Sequence, residues 1–197
     1  MKRIFTILFA FFIQFAVCQN SKNVVYVDEN NQQMTEDDFE SLDERKFYFK
    51  IFENDTLTVK KVYPHRKIGA LDSIQLQQFK TFLVKTLGND FNENKKTMIH
   101  LYSKNDHIKK DSNYKRYWTW IEDNSDRYQA FLIGTKNSNI KADKENHIYV
   151  DSYGLITHLF FRESDFDINH LLLKPNGAIY IYFGKEDILG VLDWSVD

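Results

Sequence analysis

Two apolar runs near the end of the chain, His170 to Leu173 and Ala178 to Phe183, flank the tetrapeptide Lys174-Pro175-Asn176-Gly177. No other stretch restricts the fold as tightly. Proline presets φ, and Asn-Gly accepts the positive φ of a tight reversal. The pattern predicts an antiparallel hairpin.

Upstream of this hairpin, strand and helix patterns alternate. Thr97 to Tyr102 reads as a strand. Ser112 to Asp123 reads as a helix, with Tyr114, Tyr117, Trp118 and Ile121 at the spacing of a buried stripe. Tyr128 to Thr135 is a strand whose apolar centre, Ala130 to Ile133, suits burial on both faces. His147 to Val150 is a shorter strand. Asp151 or Ser152 can cap a helix running to about Phe161, and Glu186 to Leu192 reads as a closing helix weakened by Gly190.

The first half follows a different plan. Val24 to Asp28 is a short strand, and Glu29 to Gln33 a polar turn. Thr35 caps a helix expected to run to about Arg45, with Glu36, Asp37 and Asp38 where the helix dipole favours negative charge. Asp28 and Asn30 match the early positions of a calcium loop, but its glycine and final glutamate are missing. Lys46 to Phe52 and Thr56 to Val62 read as strands joined by Glu53-Asn54-Asp55, and Pro64 ends the second. A helix is predicted over Asp72 to Leu87, with Leu76, Phe79, Leu83 and Leu87 on one face and Gly88 as its stop. Asn89 to Lys96 is polar and reads as a linker. It separates an N-terminal α+β segment, 23–90, from a second domain, 96–197.

At the start, Lys2 and Arg3 precede an apolar run, Ile4 to Val17, of 14 residues broken only by Thr6 and Gln14. A membrane-spanning helix needs about 20. The layout predicts a signal peptide over 1–18, cut before Gln19. Alternatively, Phe15-Ala16-Val17-Cys18 is a lipoprotein signal and Cys18 carries a lipid at the mature N-terminus. The protein is thus expected outside the bacterial cytoplasm: periplasmic, secreted, or anchored to a membrane through Cys18.

Cys18 is the single cysteine. Once it is removed or blocked, the mature chain has no disulfide, thiol nucleophile or thiolate metal site. Such a domain must rest on its hydrophobic core, and 17 Phe and 11 Tyr supply the material. Without Lys2 and Arg3 the balance is 24 basic to 28 acidic residues, net −4. That excludes a general nucleic-acid footprint.

The order strand, helix, strand, helix, hairpin, helix in the second domain resembles the thioredoxin-like superfamily. Three stretches carry the likeness: Thr97-Met98-Ile99-His100-Leu101-Tyr102, Tyr128 to Gly134, and Phe166 to Ile179 with its Lys174-Pro175-Asn176-Gly177 turn. The resemblance implies an α/β fold, a thioredoxin-like mixed sheet flanked by helices, with 23–90 as an N-terminal α+β extension. It covers about half of the chain. It also implies a lost activity. Where that family places its cysteine pair, this chain has Asp106-His107-Ile108-Lys109, and where it places a cis-proline, this chain has Asn169 after Ile168. A cis bond there would cost about 3–4 kcal/mol, so a trans bond is expected.

Other chemistry is sparse. None of the six histidines pairs at i, i+4 with another, and no His-Glu-x-x-His occurs. His100, inside a strand pattern, and His158, inside a helix pattern, read as packing or surface residues. No Gly-x-Ser-x-Gly or phosphate-loop glycines appear. Asp106, His107 and Asp111 are expected in a loop beside the strand ends. Asp106 and His107 with Asn169 form the candidate polar corner of a rebuilt enzyme site. Trp120, off the buried stripe, joins Lys115 and Arg116 as a candidate binding surface. The expected function is an exported, non-catalytic binding or accessory module, with no cofactor and no metal. Its partner is an unspecified protein or small molecule.

Overall fold

A computed structural model describes residues 23–192; the expected signal peptide and Cys18 lie outside them. The chain forms two compact units. One comprises residues 23–41 together with 49–62, the other 42–48 with 63–192. The division therefore falls elsewhere than at 89–96, and the helix following Asp72 belongs to the larger unit.

The smaller unit is a four-stranded sheet in the order β2-β1-β4-β3. Its strands are β1 (Asn23–Val27), β2 (Gln33–Met34), β3 (Phe47–Glu53) and β4 (Leu57–Pro64). β1 runs parallel to β4, with Val25 opposite Val59, and antiparallel to β2. The helix α1 (Glu36–Glu40) is capped by the Thr35 hydroxyl, which accepts from the Asp38 N–H at 3.1 Å. It stops well short of Arg45. The Ser41 hydroxyl donates to the Asp38 carbonyl, and the Asp43 carboxylate turns the chain by accepting from the Arg45 N–H at 3.1 Å. Tyr26 packs on Phe39 with centroids 4.7 Å apart.

The larger unit is built on a six-stranded sheet, order β5-β10-β9-β6-β7-β8. Its strands are β5 (Lys67–Ala70), β6 (Lys96–Tyr102), β7 (Tyr128–Gly134), β8 (Ile148–Val150), β9 (Ile168–Leu173) and β10 (Ala178–Phe183). β6, β7 and β8 are parallel; β9, β10 and β5 pair antiparallel. Helices α2 (Ser73–Leu87), α3 (Asn105–Ser112), α4 (Lys115–Asp123), α5 (Leu155–Phe160) and α6 (Leu189–Leu192) complete it. Both sheets are mixed, and the chain is α/β.

The expected hairpin is present as β9–β10. Lys174 accepts from the Gly177 N–H at 3.0 Å, and Gly177 sits at φ +91°. A side chain at 177 would be strained there, and its Cβ would come within 2.8 Å of the Leu71 carbonyl oxygen. Helix α2 starts as its sequence predicts: Asp72 accepts from Ile74 and Gln75, and Gln75 answers to the Asp72 N–H, a full capping box.

Alternation along the strands sorts two cores. Ile99, Leu101, Ile133, Leu171 and Leu173 face Phe79, Leu83 and Leu87 of α2, with Ile156 of α5. Met98, Ala130, Leu172 and Tyr182 face Tyr117 and Ile121 of α4, with Ile188 and Val191. Every residue of β7 is buried, as its apolar centre predicts. The 89–96 stretch is held to the sheet. The Gln129 amide accepts from the Asn92 N–H at 2.9 Å and donates to its carbonyl at 2.7 Å.

The expected helix over Ser112–Asp123 is two helices. α3 covers the stretch expected as a loop, and the chain breaks at Asn113, whose side chain donates to the Lys109 carbonyl at 2.8 Å. The buried stripe belongs to α4 alone. α3 presents a single apolar residue, Ile108, so hydrophobic periodicity gave no sign of it.

Candidate functional site

At β6 the sheet changes sense, with β7 parallel on one side and β9 antiparallel on the other. The C-terminal ends of β6 and β7 open beside the segment that enters β9. A cleft of about 440 Å³ lies there, lined by Leu101 and Ser103, by Thr135 and Lys136 after β7, and by Thr157 and His158 of α5. Arg162, Ser164, Asp167 and Asn169 form the wall leading into β9.

Asp167 fastens this wall. Its carboxylate accepts from the Ser103 hydroxyl and pairs with the Lys104 ammonium, each at 2.6 Å. Lys104 and Ser103 hold the acid below the usual carboxylate range. Asn169, 4% exposed, is committed at both ends of its amide. Its oxygen accepts from Ser164 at 2.8 Å, and its nitrogen donates to the Phe166 carbonyl at 3.1 Å. The Ile168–Asn169 peptide is trans. The Thr157 hydroxyl is buried without a hydrogen-bond partner.

The candidate corner does not assemble. Asn169 lines the cleft, but Asp106 and His107 do not. Both lie on α3, with Asp106 exposed; His107 reaches Asp111 and Asp167 only through its charge. Asp111 points the other way. It is 2% exposed, accepts from the Tyr102 hydroxyl at 2.7 Å, and burial pushes its carboxyl up. A helix in place of the expected loop spaces these residues around its circumference. Trp120 is half-buried against the α4-side core, edge-on to Tyr128 with ring centroids 5.0 Å apart, while Lys115 and Arg116 are exposed. Arg116 and Trp120 share a hollow with Asp187 and Leu189 that Lys115 does not line.

A polar chain that histidine spacing did not reveal crosses the sheet interior. His170 Nε2 lies 2.6 Å from the Lys185 carbonyl oxygen. A carbonyl only accepts, so Nε2 carries the hydrogen and, in the neutral ring, Nδ1 is an acceptor. His100 Nδ1, 2.7 Å away, must donate to it. That leaves His100 Nε2 as the acceptor for the Tyr117 hydroxyl at 2.5 Å. Both rings are fully buried. Burial depresses both imidazoles, His170 to about 4 and His100 well below its ordinary value. Every nitrogen is satisfied, so the chain is a structural tie rather than an open catalytic group.

Among the described residues no group of three potential metal ligands converges, and no helix is long and apolar enough to cross a membrane. Comparison with known proteins finds no matching family model, no matching curated protein and no matching solved structure.

Proposed function

We propose that this chain is an exported, non-catalytic thioredoxin-like protein acting as a binding or accessory module of the bacterial cell envelope, with the cleft beside β6 and β7 as its ligand site. The order β7-β6-β9-β10, a parallel pair followed by an antiparallel hairpin, supports the thioredoxin-like reading. β5 and β8 are additions to that arrangement.

Asp167 is the observation that favours binding over catalysis. It is the one carboxylate lining the cleft, and it is spent on Ser103 and Lys104. An acid held below its ordinary pKa is a weak general base, and the Ser103 hydroxyl donates to it rather than standing free. What remains beside the His158 imidazole is recognition chemistry: Lys136 and Arg162 as donors and the Thr157 hydroxyl as a buried hydrogen-bonding group. These suit a small polar ligand with acceptor oxygens.

Two measurements test this. With dithiothreitol and insulin, disulfide turnover is expected at the protein-free rate, and any excess overturns the non-catalytic reading. In a crystallographic screen of small polar fragments, hits are expected against Lys136, Thr157 and Arg162. Hits confined to other surfaces remove the cleft as the ligand site.

Export has its own test. The mass of the mature protein is expected to begin at Gln19, or at a lipid-modified Cys18. A chain that keeps residues 1–18 in an exporting host counts against both.

A further inference from the structure

The larger unit holds a second cavity, of about 360 Å³, where Tyr48, His65 and Arg66 meet the end of β10. Arg45, Lys46, Arg66 and Lys185 bring four cations to its walls, and no acidic side chain lines it. Asp43 stands behind two of them: it pairs with Arg45 at 2.9 Å and reaches Lys46 at 4.0 Å. Glu186 is near enough to act on the Tyr48 phenol. The Tyr48 and His65 rings, tilted 45° to each other with centroids 4.0 Å apart, form an aromatic wall.

Tyr182 gives this cavity a specific purpose. The residue is 1% exposed, and its hydroxyl is buried with no hydrogen-bond partner. A buried hydroxyl in that state is rare and costly, unless a ligand or solvent group completes it. Arg66 acts on the phenol oxygen by its charge and as a donor, short of full hydrogen-bond geometry, which leaves the phenol's own proton to give. A phenol is both donor and acceptor, and among cations its useful role is donor to an anionic oxygen.

We propose that this cavity binds a phosphate-type oxyanion carried by a small phosphorylated molecule. Arg66 and Lys185 supply charge, and the Tyr182 hydroxyl donates to one of the oxygens. A phosphate monoester fits better than a lone carboxylate. It is close to a dianion at neutral pH, and its oxygens point in several directions, matching cations on separate walls and a donor from the floor. The cations need not be idle for this, and Arg66 and Lys185 hold other interactions as well. The Tyr48–His65 wall faces the part of the molecule that bears the phosphate. The site is independent of the cleft and of its ligand.

The probe is inorganic phosphate, titrated into the full mature chain at low ionic strength. Calorimetry measures affinity, and amide chemical shifts report location. Saturable binding is expected, with shifts centred on Tyr48, His65, Arg66 and Tyr182, and with weakening as chloride is raised. Tyr182→Phe is expected to lower affinity about ten-fold. The same variant should melt no lower than the parent, because it deletes an unsatisfied hydroxyl. That split separates a ligand-binding role from a packing role. Arg66→Gln, at an exposed position, is expected to lower affinity by at least as much with the spectrum otherwise unchanged. A titration that never saturates overturns the proposal, as does equal affinity in the parent and Tyr182→Phe.

Discussion

Taking the protein from pH 7 to about pH 4.5 is expected to remove about 2 kcal/mol of folding stability through His170 alone. The sign follows from where the protons bind. In the unfolded chain the imidazole titrates near its ordinary value of 6.5, whereas in the fold burial holds it at about 4. Between those values the unfolded state binds more protons, so stability falls as pH falls. The contribution is complete above 6.5 and gone below about 4. His100, also depressed by burial, adds in the same direction, and so does His147. Asp111 opposes them. Its carboxyl is raised by burial, so the fold takes up that proton first and gains stability as pH drops toward 3.8. Urea midpoints between pH 7.5 and 4.5 measure the slope. Replacing the chain as a set, His100→Leu, His170→Leu and Tyr117→Phe, is expected to flatten it. A triple variant as acid-sensitive as the parent would show that the imidazoles are not responsible.

Asp151→Ala is expected to cost about 2–4 kcal/mol, a drop in Tm of roughly 5–15 °C for a chain of this size. Asp151 is fully buried, and it accepts from the Leu155 N–H at 3.0 Å and the Ile156 N–H at 2.9 Å. It thereby closes the start of α5, a helix whose N-cap position is Gly154 and has no side chain to offer. The charge also sits at the favourable end of the helix dipole. Asp151→Asn keeps one acceptor oxygen and should recover part of the loss. Because α5 carries Thr157 and His158 into the cleft, the alanine variant should also loosen that wall. Scanning calorimetry decides the point, and an alanine variant within about 0.5 kcal/mol of the parent would mean the cap is ornamental.

Much of the framework was legible because it rests on local rules. Lys174-Pro175-Asn176-Gly177 fixes its hairpin through φ preferences, Asp72 and Gln75 fix the start of α2, and the unbroken apolar centre of β7 announces burial on both faces. What failed depended on partners distant in sequence. α3 is polar and covers the sheet with Ile108 alone, so its periodicity is silent. α1 ends where hydrogen bonds from Ser41 and Arg45 divert the chain, five residues before its acidic start suggested. Asn169 lines the cleft, whereas Asp106 and His107 stand on a helix where their polar sequence suggests a loop. His100 and His170 did leave a trace: each interrupts a strand that is otherwise fit for burial. A polar ring in such a strand must find a partner. The partners are 70 residues apart for the two rings and 17 for the tyrosine, beyond what a window of spacing can test.

Because each link between Lys185 and Tyr117 dictates the sense of the next, positions 100, 117 and 170 cannot drift one at a time. A phenylalanine at 117 strips His100 of its donor, and a leucine at 170 strands both its neighbour and the Lys185 carbonyl. In descendants of this sequence the three positions should be inherited together or exchanged together, a signature that a future alignment would display as covariation across the sheet.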